Sequence, residues 1–104
     1  MQAMFIYVTA GSRKEALSMG RELVERRLAA CANILADSTS IFRWEGELQE
    51  DAEVVLILKT RSGLVDRITG EIKSLHSYDC PCVVAFPIAG GNAEFLNWII
   101  NETS

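Results

Sequence analysis

The sequence predicts an α+β domain in which two helices cover one face of a four-stranded sheet. Three observations predict it. Runs of β-branched and aromatic residues alternate with two stretches of helical period, in the order β-α-β-β-α-β. Two interlocked right-handed βαβ units then place both helices on the same face. The chain has 104 residues, enough for a single core, so residues 1–104 read as one domain.

Each element has a local reason. Met4-Phe5-Ile6-Tyr7-Val8-Thr9 is a strand long enough to be buried on both faces. Gly11 turns the chain, and Ser12 and Glu15 have the spacing of a capping box. The helix that follows is expected to bury Leu17, Gly20, Val24 and Leu28, with Ser18, Arg21, Glu22 and Glu25 outside. Glu22 and Arg26 form an i,i+4 pair in the favourable order. Gly20 on an apolar stripe implies a close approach of helix to sheet, since glycine costs about 1 kcal/mol there against alanine.

Cys31 to Leu35 begins the next strand, which resumes from Ser40 to Trp44; Glu45-Gly46 is the turn and Glu47 to Thr60 the return arm. A second helix carries Val65, Ile68, Ile72 and Leu75 inward, with Asp66, Arg67, Glu71 and Lys73 in water. His76 to Pro81 is a loop, and Cys82 to Phe86 a fourth strand stopped by Pro87. Asn92 caps a last helix bearing Phe95, Trp98 and Ile99. This order is the ferredoxin-like βαββαβ sandwich with a long central hairpin and a C-terminal helix.

The hairpin is too long for the domain. Arms of about 14 residues are about 45 Å long, at roughly 3.3 Å per residue. A globule of this size has a diameter of about 35 Å. Ile41, Phe42 and Trp44 lie near the tip among Arg43, Glu45, Glu47, Glu50 and Asp51. Exposed apolar edges of this kind pair with other chains, so the arms either curl back or are covered by another subunit, and self-association is expected.

Composition excludes several functions. The balance of 10 basic against 14 acidic residues gives a net charge of −4, which argues against nucleic acid as a partner. The hydrophobic fraction of 49% rules out a disordered chain. No charge precedes the first apolar run and no stretch is long enough to span a membrane, so a cytoplasmic protein with no membrane partner is expected. Cys31, Cys80 and Cys82 are odd in number and lack a Cys-x-x-Cys pair, which fits reduced thiols rather than disulfides. No nucleophile–base pair and no paired carboxylates point to catalysis, so no enzyme is expected.

The motifs resemble one family. Ala30-Cys31-Ala32-Asn33-Ile34, then Ser40-Ile41-Phe42-Arg43-Trp44-Glu45-Gly46-Glu47-Leu48, are similar to the signature strand and hairpin of the CutA divalent-cation tolerance proteins. Glu53-Val54, Leu58-Lys59-Thr60, His76-x-Tyr78, Pro87-Ile88, Gly91-Asn92 and Leu96-x-Trp98 continue the likeness in order. The resemblance implies a homotrimer built through the long strands and a role in tolerance of divalent metal ions, including copper. It also implies an architecture like that of trimeric P-II signalling proteins, which bind small ligands in clefts between subunits. Two departures stand out. Ser77 replaces a proline of the family pattern, so the loop is expected to gain freedom. Val8 and Leu75 occupy positions where some members carry metal ligands.

Candidate sites follow. His76, Cys80 and Cys82 combine a nitrogen and two soft sulfur donors suited to Cu(I) or Zn(II), and an extended Cys80-Pro81-Cys82 would bring its thiols within about 7 Å. Alone, the only histidine reads as a helix C-terminal residue favoured by the dipole. Lys59 within an apolar strand needs an acceptor. It meets either Glu53, Glu45 or Asp79 of a neighbouring subunit, or an anion in a cleft between subunits. Trp44, Glu53, Lys59, Tyr78 and His76 are expected to converge on that cleft. Cys31 is grouped with it, although its strand of small residues reads as packing.

Overall fold

In the computed structural model, which describes residues 2–104, the expected order is observed. Strand β1 (Ala3–Ala10) leads to helix α1 (Arg13–Glu25), the long strands β2 (Cys31–Trp44) and β3 (Glu47–Arg61), helix α2 (Val65–Leu75), strand β4 (Val83–Pro87) and helix α3 (Ala93–Glu102). A single 3₁₀ turn, Ser62–Leu64, joins β3 to α2. The sheet order is β2-β3-β1-β4 and every neighbouring pair is antiparallel.

Ile6, Val8, Leu56, Leu58, Ile68 and Ile72 are fully buried between sheet and helices. Helix α1 meets this core with Ala16, Met19, Gly20 and Leu23, one position out of phase with the expected stripe. Leu17 is only half-buried, Val24 is exposed, and Leu28 lies beyond the helix. Both series have three-four spacing; the observed one puts its small residues, Ala16 and Gly20, against the sheet, which lets the axis come close. A Cβ on Gly20 would stand 3.1 Å from the Cβ of Ala32. Leu75 in α2 likewise turns outward, because the chain leaves the helix there.

Helix α1 ends where Arg27 takes a left-handed φ of 61°, with Leu28 N–H returning to the Leu23 carbonyl. Arg26 then holds Glu71 of α2 by two hydrogen bonds of 3.0 Å, tying the helices together. Helix α3 packs on the sheet's other end through Ile99 with Ala3 and Ala30, while Phe95 and Trp98 remain exposed.

The hairpin projects. Strand β1 pairs with β3 only as far as Ala10↔Val54, so Ser38–Trp44 and Glu47–Glu53 run on as a two-stranded ribbon. The molecule measures 44 × 25 × 23 Å. Strand β2 is continuous, with a bulge between Leu35 and Ser38 in which Asp37 has φ 62°. At the tip both Glu45 and Gly46 have positive φ, 51° and 81°, as a tight two-residue hairpin turn demands. Ile41, Trp44 and Leu48 are 65%, 51% and 68% exposed on this ribbon.

Candidate functional site

The loop after α2 is tied to the body by charge and hydrogen bonding. His76 Nε2 lies 2.7 Å from the Thr9 carbonyl, and its Nδ1 accepts the N–H of Tyr78 at 3.0 Å. A carbonyl only accepts, so these partners assign the proton to Nε2. Glu15 accepts the Ser77 N–H at 2.7 Å and the Gly11 N–H at 3.3 Å, and Ser12 caps the helix through the Glu15 N–H. Burial alone would raise the Glu15 carboxyl, but these Ser77 and Gly11 bonds and the nearby His76 outweigh it and hold it below the ordinary value. The bond from Ser77 corrects the expected freedom of the loop. A proline there has no N–H for Glu15; serine substitutes a hydrogen bond for a fixed φ.

Tyr78 continues the network toward the hairpin. Its ring lies 4.6 Å from that of His76, and its hydroxyl donates to Glu53 at 2.8 Å. Burial, and then the Glu53 carboxylate, push the phenol up to about 12. Glu53 is itself only 9% exposed. Between this pair and the hairpin opens a cavity of about 410 Å³. Its walls are the rings of Phe42, Trp44 and Tyr78, and its polar lining is Gln49, Asp51, Glu53 and Asp79, with Cys80 at the edge. Alternation places Phe42 and Trp44 on one face of β2, and the pairing Phe42↔Gln49 puts Gln49, Asp51 and Glu53 on the same side. A larger hollow of about 600 Å³ runs along the exposed side of α1, lined by side chains of that one helix, which cannot enclose a ligand.

The expected metal trio does not assemble within one chain. Both ring nitrogens of His76 are engaged and its side chain is fully buried. Among the described residues, no group of three His, Cys, Asp or Glu side chains is placed to hold a metal ion. All three cysteines are free thiols, Cys80 and Cys82 exposed and Cys31 half-buried. Burial of its sulfur, together with the charge of Glu53, raises the Cys82 thiol despite a contact with the Thr9 side chain.

Within one chain, the residues expected at a cleft between subunits fall into two groups. Trp44, Glu53 and Tyr78 do share a cavity, with His76 behind Tyr78. Lys59 does not join them: it lies about 20 Å up the strand from Glu53 at roughly 3.3 Å per residue. There it pairs with Cys31 in register, donates to Asn33 Oδ1 at 2.6 Å and touches the Cys31 sulfur at 3.6 Å. Within its own chain its acceptor is thus an amide of the same sheet. Sequence reasoning named Glu15, Thr9 and Asn33 but missed that the first two anchor the loop and the third accepts from Lys59. It named Phe42 and Asp51 without placing them in the site, although counting outward from the Glu45-Gly46 turn puts them beside Trp44 and Glu53.

The CutA1 divalent ion tolerance protein family matches residues 4–102. The chain is 43% identical over 98 residues to the divalent-cation tolerance protein CutA of Thermus thermophilus, covering 94% of this chain and 95% of that one. It is 41% identical over 101 residues to the chloroplastic Protein CutA 1 of Oryza sativa, covering 97% of this chain but only 57% of the length of that relative. Among solved structures, a Thermus thermophilus divalent cation tolerance protein superposes with a TM-score of 0.96 at 41% identity, covering 98% of this chain and 99% of its own. The periplasmic CutA of Archaeoglobus fulgidus superposes at 0.92 with 43% identity, covering 96% and 97%.

Proposed function

Because this chain belongs to the CutA1 divalent ion tolerance family, we propose that it serves divalent-cation tolerance as a non-enzymatic homotrimer that binds copper or zinc through thiols. The observation that carries this reading is the pair of free thiols, Cys80 and Cys82, on a loop held in place by the His76 and Glu15 bonds. Soft sulfur ligands select such ions. His76 positions the loop, and the remaining ligands come from a neighbouring copy. The exposed apolar ribbon and the half-exposed Leu35, Val84 and Phe86 support assembly, since such surface is seldom left in water. Among the described residues, no helix is long and apolar enough to cross a membrane. The compartment proposed is the cytoplasm, where the thiols stay reduced.

Titration of the reduced protein with Cu(I) and Zn(II) tests this. Replacing Cys80 and Cys82 together by Ser should abolish most binding, and affinity should rise with pH as the raised Cys82 thiol loses its proton. Tight binding that survives the double replacement refutes the thiol assignment. A second reading, a P-II-like signalling scaffold for a small ligand, is favoured by the cavity beside Trp44.

A further inference from the structure

The cavity between the hairpin and Tyr78 holds negative charge without its complement. Asp51, Glu53 and Asp79 all line it, and among the described residues none of them is paired with a lysine or arginine. Glu53 is the sharpest case. It is about nine-tenths buried, and its Oε2 accepts the Tyr78 hydroxyl, a neutral partner that leaves its charge unmatched. A buried carboxylate without a counter-charge is costly, so a cation that enters gains what the fold leaves unmatched.

The walls specify which cation. Phe42, Trp44 and Tyr78 present three aromatic rings to the same space, and ring faces attract ammonium and guanidinium groups. A bare metal ion gains little from such walls and needs several converging ligands, a set absent among the described residues. An alkyl ammonium uses both features: its stem lies against the rings while its head meets Glu53 and Asp51. The cavity of about 410 Å³ suits a small molecule.

We propose that this cavity is a binding site for a small protonated alkyl amine, held by Glu53 and Asp51 and by the rings of Trp44, Phe42 and Tyr78. The proposal deepens the scaffold reading by naming its ligand class, and it rests on the cavity rather than on assembly or on metal.

The test uses the full chain in its own assembly state, with Trp98→Phe so that Trp44 is the sole tryptophan. Titration with 1,5-diaminopentane should change the Trp44 emission saturably, and the neutral 1,5-pentanediol should not. Glu53→Gln keeps an acceptor for Tyr78 and should weaken diamine binding about tenfold; Asp79→Asn, on the exposed loop, should weaken it less. The proposal is overturned by an absent or unsaturable response, by an equal response to the diol, or by affinity unchanged in both variants. Binding that appears only once the assembly is dissociated also overturns it, because a Lys or Arg of a second copy then fills the cavity. A chain that proves monomeric yet binds the diamine removes the scaffold reading and leaves this site standing.

Discussion

His76 donates its Nε2 hydrogen to the Thr9 carbonyl at 2.7 Å, so the chain's only histidine fastens a loop to the end of β1. The same ring accepts the Tyr78 N–H. His76→Ala leaves two backbone groups in the interior without partners, and we expect a loss of about 2 kcal/mol in urea unfolding. Copper or zinc affinity should fall far less than in the Cys80→Ser/Cys82→Ser variant.

The hairpin ribbon should hold copies together. Light scattering coupled to size exclusion should give three times the 11.5 kDa of one chain. Leu48→Glu, at a tip position 68% exposed in the single chain, should shift the population toward monomer by placing a charge in a covered apolar surface. A wild-type chain that runs as a monomer rejects the assembly.

Two glycines should respond oppositely. Gly20→Val forces side-chain atoms toward Ala32 and Leu56 and should cost about 1–3 kcal/mol. Gly70, in α2 with nothing within 4 Å of a built Cβ, should gain about 1 kcal/mol on Gly70→Ala. Thermal melts of the two variants measure both.

Acid should weaken the loop's anchorage through Glu15. Its folded-state carboxyl sits below the ordinary value of 4.5, so its stabilising contribution is complete above that pH and is lost as pH falls through the lowered value. The stability difference between the native chain and Glu15→Gln should therefore shrink as pH drops below 4.5. A difference independent of pH down to strong acid would show that the carboxylate charge contributes nothing.

The strands, the turn and the caps were legible in the sequence because each rests on neighbours in the chain. Ser12 caps as its spacing indicates, and Glu45-Gly46 turns where a glycine stands before a return arm. The overlong hairpin followed from arithmetic alone. Helix phase was harder: Ala16 and Leu17 both continue a three-four series through Gly20, and only packing against the sheet selects between them. The site was half legible. Trp44, Glu53 and Tyr78 share a cavity as their grouping implies, whereas the acceptor that Lys59 finds within its own chain, Asn33, comes from the adjacent strand and is not marked by sequence spacing. His76 was read as a ligand because sequence does not reveal that a backbone carbonyl already occupies its ring nitrogen.

The two-residue turn at Glu45-Gly46 has a consequence for how this hairpin can change length. Side chains alternate across a ribbon, so inserting a single residue between Phe42 and Gln49 would exchange the two faces along the altered arm. Trp44 and Phe42 would then rotate away from Asp51 and Glu53, and the cavity would lose two of its three rings. Growth or shortening beyond the Trp44↔Glu47 pair is therefore compatible with the site only when both arms change by the same number of residues. Relatives with longer or shorter ribbons should differ by even counts between corresponding positions, or else carry a second bulge that absorbs the odd residue.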